Sequence, residues 1–335
     1  MTSDPTWLAP THEDAIEPDL PIIDPHHHLW DRPENRYTLD ELRLDLAGQN
    51  VRQTVFVECS AMYRAAGPKE FRLVGETEWV QGIAAQSASG GFGELRAAAA
   101  IVGSADLRMG EGVAPVLEAQ LAASPQRFRG VRHRAAWAEP GVVATQSSRQ
   151  PAQLLLDSEF RKGFAYLRVY GLSFEAWVYH TQLSEVADLA RAFPDTVIIL
   201  NHLGGPLGVG PYAGKRDEVF ADWRTAIAKV AACANVVMKV GGLQMAVNGF
   251  GWHERERPPT SDDLLTLNRD WYLYAIEQFG PARCMFESNF PVDKLSCSYT
   301  VLWNQFKKLS QGFTAAERAA MFHDTAQRVY RLPAY

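Results

Sequence analysis

Short apolar runs, each bounded by glycine, proline or polar residues, recur along the chain with the length and composition of buried β-strands. Eight of them are candidate strands: PIIDPHHH (21–28), QTVFVEC (53–59), LRAAAAIV (95–102), FRGVRHRA (128–135), LSFEAWV (172–178), TVIILNH (196–202), NVVMKVG (235–241) and RCMFESN (283–289).

Segments with the three-to-four-residue spacing of helices separate these runs. They cover residues 39–47, 77–87, 113–123, 159–169, 183–192, 217–233 and 264–278, and two more follow the last strand. In EFRKGFAYLRVYG, for example, Phe160, Phe164 and Leu167 share one face, and Gly171 stands where a helix C-cap is needed.

Strands and helices alternate through the whole chain without an internal linker rich in Gly, Ser or Pro. This pattern predicts parallel βα units of the α/β class, closed as a single (β/α)8 TIM barrel. The competing fold is a doubly wound open sheet, which normally carries a glycine-rich turn after its first strand, where this chain has three histidines. We predict one barrel domain over residues 21–335, preceded by an N-terminal arm over residues 1–20.

Composition and charge exclude several classes of protein. With 47% hydrophobic and 21% charged residues, the chain can bury a large core and is not disordered. The formal net charge is −6 and no basic run occurs, so no nucleic-acid partner is expected. The four cysteines are scattered, as expected for reduced thiols in the cytoplasm. The acidic, proline-broken N-terminus is unlike a signal peptide, and no apolar stretch approaches the roughly 20 residues of a membrane span.

The candidate chemistry concentrates at the end of the first predicted strand, in DPHHHLW. Alternate side chains of a strand share a face, which puts Asp24, His26 and His28 on one side and Pro25 and His27 on the other. Two imidazoles about 7 Å apart on one face can bind a divalent ion together. His26 and His28 are therefore candidate metal ligands; the alternative is a buried pair that is hydrogen-bonded elsewhere.

Further histidines follow other predicted strands. His202 ends TVIILNH, His180 follows FEAWVY, and His133 lies within FRGVRHRA. Parallel barrel strands end at a common face, so these imidazoles are expected near the first pair. We interpret His202 and His180 as further ligand or proton-transfer candidates and His133 as a candidate substrate contact.

These segments together resemble the amidohydrolase superfamily, in its branch of barrel lactonases and related decarboxylases. The similarity runs from about residue 20 to the C-terminus through IIDPHHHLWD, FRGVRH, WVYHTQL, ILNHLGGP and CMFESNFPVD. The resemblance implies that His26 and His28 correspond to the strand-one pair that ligates a divalent ion in metal-dependent members, and His202 to the strand-six histidine. Some lactonases of this branch work without metal, so the resemblance leaves a metal-free site open.

The last predicted strand departs from this family pattern. Members commonly carry Asp in a Gly-Ser-Asp-Trp-Pro-like segment, as metal ligand and proton acceptor, where this chain reads ESNFP at 287–291. The amide of Asn289 does not titrate in the usable range, although its carbonyl oxygen can contact a metal or orient a water. Glu287, one pleat deeper on the same face, is the first candidate base, with a buried ion pair as its alternative role. Glu58, ending QTVFVEC, is the second.

Basic and aromatic residues near the predicted strand ends are candidates for binding the substrate. Arg64, Arg132 and Lys239 could bind carboxylate or sugar-acid oxygens, and Trp252 could form a pocket wall. The long loops at 207–218 and 246–261 are expected to form the rim of the pocket.

The sequence thus predicts an amidohydrolase-type hydrolase that opens a small lactone or related cyclic ester with activated water. We expect a divalent metal, Zn²⁺ first, to assist this reaction, or the histidines to polarise the carbonyl directly. The alternatives are a metal-dependent decarboxylase on the same barrel and a non-catalytic relative that binds a small molecule. The oligomeric state stays open, with a homo-oligomer allowed.

Overall fold

Eight parallel strands are hydrogen-bonded in chain order in the computed structural model, which describes residues 5–143 and 150–335. They are β1 (Ile22–His27), β2 (Val51–Val57), β3 (Arg96–Gly103), β4 (Phe128–Arg132), β5 (Ser173–Ala176), β6 (Ile198–Leu200), β7 (Val236–Val240) and β8 (Cys284–Phe286). A bridge between His27 and Phe290 joins the segment after β8 to β1. The prediction of a single (β/α)8 barrel is confirmed.

One main helix follows each strand. These are α1 (Leu39–Asp45), α2 (Val74–Ala88), α3 (Ala114–Ala123), α4 (Ser158–Val169), α5 (Leu183–Ala192), α6 (Arg216–Ala231), α7 (Ser261–Phe279) and α8 (Tyr299–Leu309). Short helices at Pro5–Leu8, Ala315–Ala319 and Thr325–Val329 stand outside this repeat. An antiparallel hairpin of Trp30–Arg32 and Asn35–Tyr37 is inserted between β1 and α1.

Capping side chains fix where the helices begin. At the start of α7, the Asp263 N–H donates to Thr260 Oγ1 at 3.1 Å, and the Thr260 N–H donates to the Asp263 carboxylate at 2.9 Å. This reciprocal pair satisfies two backbone donors that the first turn leaves unpaired. At the start of α8, the Val301 N–H donates to Ser298 Oγ at 3.2 Å, without a reciprocal bond. Both helices therefore begin at defined points after the loops that follow β7 and β8.

Three apolar clusters form the core; the smallest, which includes Trp177, Tyr179 and Leu207, lies among segments that follow the strands. The inner cluster fills the barrel with alternate side chains of the strands, among them Ile23, Val55, Val102, Ile199 and Met285. Tyr330 and Leu332 of the C-terminal segment belong to the same cluster and close the N-terminal end of the barrel. The outer cluster lies between strands and helices. His28 and His202 lie at the other end of the barrel, just after the strands end.

The first strand carries an irregularity that the sequence pattern did not predict. The pairing register of β1 with β2 shifts between Asp24 and His27, as at a β-bulge. Ile23 belongs to the inner cluster, yet Asp24 accepts the Tyr299 hydroxyl of α8 at 3.0 Å, while His26 and His28 face the interior. The expectation that Asp24 shares a face with the two histidines is therefore wrong. Pro25, which has no N–H to donate, stands at the irregular step.

The segment before β1 packs on α7 and α8. The Glu13 carboxylate accepts the Ser261 N–H at 2.7 Å, and Lys307 Nζ donates to the Ile16 carbonyl at 2.6 Å. The division into an arm (1–20) and a barrel domain (21–335) stays a prediction. Residues 1–4 of the arm and 144–149 of the barrel domain lie outside the described part of the chain. The four cysteines are unpaired, and no described helix is long and apolar enough to cross a membrane.

A close approach between α4 and the segment before α3 yields a stability prediction. A Cβ on Gly163 would collide with the Leu107 carbonyl, whereas a Cβ on Gly82 of α2 would meet no neighbouring atom. We expect Gly163→Ala to lower the free energy of unfolding by about 1–3 kcal/mol through overpacking. The control, Gly82→Ala, should raise it by up to about 1 kcal/mol, because alanine favours the helix. Urea unfolding checks both; equal effects would contradict the predicted packing.

Candidate active site

The C-terminal ends of the strands surround a cleft of about 630 Å³. Its walls include His28, His202 and Asn289, which the sequence singled out, and the three arginines Arg32, Arg132 and Arg134. Because this is the face on which barrel enzymes build their sites, the cleft is the candidate active site.

Two imidazoles and one carboxylate meet below the cleft. His202 Nδ1 lies 2.7 Å from Glu287 Oε1, and His26 Nδ1 lies 2.8 Å from Glu287 Oε2. The His202 backbone N–H also donates to Oε1, at 3.1 Å. All three side chains are buried, and their donor atoms lie within 4.8 Å of one another. The structure thus brings together His26, His202 and Glu287, three of the predicted residues.

The backbone after β6 and β7 makes this approach possible. His202 has a φ of 51°, in the left-handed region that most residues avoid. Gly242, after β7, has a φ of 68°, and a Cβ there would collide with the His202 ring. The glycine therefore lets the loop after β7 pass directly against the ring, which limits the orientations that the imidazole can adopt.

Two cations flank His26. Lys239 Nζ lies 3.3 Å from Nδ1 of the ring, and Arg132 Nη1 lies 3.4 Å from Nε2. Burial, with the positive charge of Lys239 and further charged neighbours, holds the pKa of His26 well below its ordinary value. The ring is consequently neutral at physiological pH, the state that a metal ligand requires.

Lys239 belongs to a buried network below this group. Its Nζ donates to Glu175 Oε2 at 2.8 Å, and Glu175 also accepts from the amide of Asn201 and the hydroxyl of Tyr330. Our sequence reasoning missed Glu175, although it is the one charged residue in the apolar run LSFEAWV. An isolated charge in a buried strand needs a partner of opposite charge. Lys239, the one charged residue in the apolar run NVVMKVG, is that partner of Glu175.

His28 is separated from the three donor atoms but faces the same cleft. Its Nδ1 lies 2.7 Å from the Val57 carbonyl, which can only accept a hydrogen bond, so the ring proton is on Nδ1 and Nε2 is free. Burial, with the charge of Arg132, lowers the pKa of His28 well below its ordinary value. The strand-one pair therefore divides: His26 joins the donor group, and His28 offers a free nitrogen to the cleft.

Glu58 holds two arginines instead of facing the cleft as a free carboxylate. Arg132 Nε donates to Oε1 at 2.7 Å, and Arg134 donates to both oxygens at 2.9 and 3.0 Å. Burial alone would raise the pKa of Glu58, but the two guanidinium groups outweigh it and lower the pKa. This environment gives no support to a base role for Glu58. Arg134, which sequence reasoning missed, lies two residues after Arg132 on the same side of the segment.

Asn289 is held in one orientation by a buried acid. Its Nδ2 donates to Asp293 Oδ1 at 2.8 Å, which leaves its own carbonyl oxygen free toward the cleft. Burial raises the pKa of Asp293 well above the ordinary value. Asn289 can thus offer a fixed hydrogen-bond acceptor to a ligand, as the sequence suggested for its carbonyl oxygen.

The other predicted site residues lie away from this group. His180 Nδ1 accepts the Leu207 N–H at 3.2 Å, and His133 Nδ1 accepts the Leu107 N–H at 3.1 Å; burial lowers the pKa of each ring to about 4. Arg64 is 39% exposed and pairs with Glu78, whereas Trp252 is buried in the outer core. They lie outside the group of His26, His202 and Glu287, although His133 lines a neighbouring cavity of about 330 Å³, and their roles stay predictions. A local backbone partner satisfies each of these histidines, a contact that strand position alone does not reveal.

The two long loops meet each other beside the cleft. The Gly208 N–H donates to the Val247 carbonyl at 2.9 Å, and residues of both loops line a second cavity of about 210 Å³. Of these two loops, only the one after β7 contributes described residues to the cleft wall. They are Met245, Ala246 and Val247. Formation of the rim by both loops stays a prediction.

The donor group fits a Zn²⁺-type ion. Imidazole nitrogen and carboxylate oxygen are the ligands that zinc takes in catalytic sites. Glu287 Oε2 is buried and accepts no hydrogen bond from the described residues, although His26 Nδ1 is close to it. A buried carboxylate oxygen without a partner is costly, and a cation between these two atoms would remove that cost. The nearby charges of Lys239 and Arg132 would lower the affinity for such an ion.

Comparison with known proteins points in the same direction. A family model described as Amidohydrolase matches residues 23–332. An uncharacterised protein of Sinorhizobium fredii is 34% identical over 340 residues, covering 94% of this chain and 99% of the relative. An L-fucono-1,5-lactonase of Burkholderia multivorans is 30% identical over 237 residues, covering 70% of this chain and 72% of the relative. A solved structure of an amidohydrolase from Burkholderia multivorans with bound zinc superposes with a TM-score of 0.71, at 26% identity, covering 94% of this chain and all of the other.

The environment of Glu58 predicts how stability depends on pH. Glu58→Gln leaves Arg132 and Arg134 without their anionic partner, and we expect it to lower the free energy of unfolding by about 3 kcal/mol or more at pH 7. Because the folded-state pKa of Glu58 is depressed, this difference should be complete above the unfolded value of about 4.3. It should shrink as the pH falls through the lower folded value.

Urea unfolding of both proteins at several pH values measures this difference. The control is Glu78→Gln, which removes an exposed partner of Arg64 and should cost less than about 1 kcal/mol. A loss for Glu58→Gln no larger than that of the control would contradict the buried ion pair.

Proposed function

The chain belongs to the amidohydrolase family, and from this premise we propose that it is a hydrolase that opens a small lactone or related cyclic ester. One observation carries the proposal: the buried group of His26, Glu287 and His202 lies directly beneath a cleft that also holds free hydrogen-bonding groups. Activation of water near a carbonyl needs such a set. The lactonase name of a 30% identical relative supports the same substrate class.

His26, His202 and Glu287 would hold the metal ion. Bound there, a Zn²⁺-type ion supplies Lewis acidity toward the carbonyl oxygen of the ester. The remaining tasks fall to residues of the chain. Arg132 Nη1, 3.4 Å from His26 Nε2, limits the orientation of that ring, and the Glu287 carboxylate fixes His202.

His28 is the proton acceptor in this proposal, and Asn289 orients the water. The hydrogen bond of His28 Nδ1 to Val57 leaves Nε2 as an acceptor at the cleft wall. The Asn289 carbonyl oxygen accepts a hydrogen bond from the water. His28 Nε2 takes the other proton of the water as the water oxygen adds to the carbonyl carbon of the ester. The ring C–O bond then breaks, and the proton returns from His28 to the alkoxide, which gives a hydroxy acid.

A panel of five- and six-membered lactones, assayed by acid release with and without a chelator, tests this function. Ring-opened hydroxy acid as the product supports it. Release of carbon dioxide from a carboxylated substrate would instead indicate the decarboxylase alternative. Binding of lactones without turnover at any metal loading would contradict catalysis.

Variants of the histidine segment separate the two proposed roles. We expect His28→Ala to lower kcat by about 10², the lower end of a general base's contribution, because the lowered pKa of His28 makes it a weaker proton acceptor. His26→Ala should abolish turnover and also remove bound zinc, measured by elemental analysis. His27→Gln is the matched control, because His27 lies on the opposite face and contacts Thr54 Oγ1 at 2.8 Å. Near-normal kcat in His28→Ala would remove that residue from the mechanism.

Asn289→Asp tests whether the site lacks a base. The new carboxylate would face Asp293 across the present 2.8 Å contact, and two such acids raise the pKa of one of them. We expect lower stability at pH 7, by about 1–3 kcal/mol, and a smaller loss as the pH falls and one of the two acids becomes protonated. Adding Asp293→Asn should restore stability. A gain in kcat of about 10²–10⁴ would show instead that position 289 needs a carboxylate and that His28 does not act as the base.

A further inference from the structure

Positive charge dominates the walls of the cleft. Among the described lining residues, Arg32, Arg132 and Arg134 carry permanent charge and no carboxylate is present. The chain as a whole has a net charge of −6. A positively charged cleft in an acidic protein favours an anionic ligand.

Arg132 is not free to bind such a ligand. Its Nε donates to Glu58 Oε1 at 2.7 Å, its Nη2 donates to the Glu58 backbone carbonyl, and its Nη1 lies 3.4 Å from His26 Nε2. Every nitrogen of the guanidinium group therefore has a partner in the protein. This differs from the expectation that Arg132 holds the substrate.

Arg134 is held by one side only. Its Nε and Nη2 form a side-on pair with the two oxygens of Glu58, while Nη1 makes no hydrogen bond to the described residues. The side chain is 30% exposed and lines both the cleft and a neighbouring cavity of about 330 Å³. The buried Glu58 thus fixes the guanidinium plane and leaves Nη1 toward the open space.

Arg32 is held in a similar way at the mouth of the cleft. It belongs to the hairpin strand Trp30–Arg32, its guanidinium carbon lies 5.0 Å from the centre of the Trp30 ring, and its Nη2 donates to the Cys59 carbonyl at 3.2 Å. Its Nε and Nη1 make no hydrogen bond within the described chain. Glu58 and Cys59 are consecutive, so both arginines are fastened to the same end of β2.

We propose that Arg32 and Arg134 together bind a carboxylate of the substrate, which makes the substrate a lactone that carries an acid group. This inference rests on the proposed function and names its substrate class. Guanidinium groups bind carboxylates by paired, charge-assisted hydrogen bonds, and prior fixation of Arg134 by Glu58 reduces the entropy lost on binding. The carboxylate lies on the β2 side of the cleft, and the ester faces His28 and His202.

Hydrolysis of such a substrate adds one water and breaks one ring C–O bond. The product then carries two carboxylates and one hydroxyl group. A simple dicarboxylate such as glutarate resembles this product, whereas butyrate has only one of the two carboxylates. Binding of these two probes therefore measures the second carboxylate site without turnover.

Calorimetric titration of the full-length protein with glutarate and butyrate is the test. We expect wild type to bind glutarate at least tenfold more tightly than butyrate. Arg32→Met and Arg134→Met should each remove most of this preference. Arg134→Lys should keep part of it, because lysine retains the charge without the fork. Arg36→Met is the matched control, since Arg36 belongs to the same hairpin but pairs with Asp40 and Glu41.

Thermal unfolding of each variant verifies that it is folded. If Arg134→Met is unstable, Arg32→Met still tests the site, because Arg32 does not pair with Glu58. Equal affinity for the two probes in wild type, or equal losses in Arg32→Met and Arg36→Met, would overturn the inference. Hydrolysis of plain and carboxylated lactones with the same kcat/KM would overturn it too, while the proposed function stands. Arginine-dependent glutarate binding without any lactone turnover would support the anion site and contradict the proposed function.

Discussion

The pairing of buried charges inside the barrel is the constraint on which the candidate site depends. Three carboxylates, Glu58, Glu175 and Glu287, lie among the ends of the strands with almost no exposure to solvent. An ionised carboxylate in such a place is costly unless a partner and further hydrogen bonds compensate it. Glu58 has Arg132 and Arg134, and Glu175 has Lys239. Glu287 has only the His26 and His202 imidazoles and one backbone N–H as partners, and its Oε2 accepts no hydrogen bond from the described residues, which leaves it with unused capacity for a cation.

The position of that carboxylate follows from the departure at the end of β8. Glu287 directly follows β8, whereas Asn289 stands two residues further along the chain, with a φ of 56° in the left-handed region. Glu287 consequently reaches His26 and His202 from below, while Asn289 remains at the wall of the cleft and is fixed by Asp293. Glu287 is thus placed to hold a cation, and Asn289 is placed to orient a ligand.

Much of this arrangement could be predicted from the sequence, because strand periodicity is a local property. The alternation of apolar residues located all eight strands, and the histidines and Glu287 at their ends pointed to the face that carries the site. The prediction failed where a contact between distant segments decides the outcome. The bulge at Pro25 turned Asp24 away from the face of His26 and His28. Backbone N–H groups of distant loops donate to Nδ1 of His133 and of His180. No spacing along the chain indicates that Glu58 would hold both Arg132 and Arg134.

Charge balance also connects the proposed cation site at Glu287 with the proposed anion site at Arg32 and Arg134. The three carboxylates face three cations, Arg132, Arg134 and Lys239, so this set is neutral without any ligand. A divalent ion beside Glu287 would add two positive charges to a region of low dielectric, which is unfavourable by itself. An anion held at Arg32 and Arg134 would offset part of that charge, and by thermodynamic linkage each ligand would then raise the affinity for the other. The charge balance of this set therefore favours joint occupation by cation and acidic substrate over binding of the cation alone.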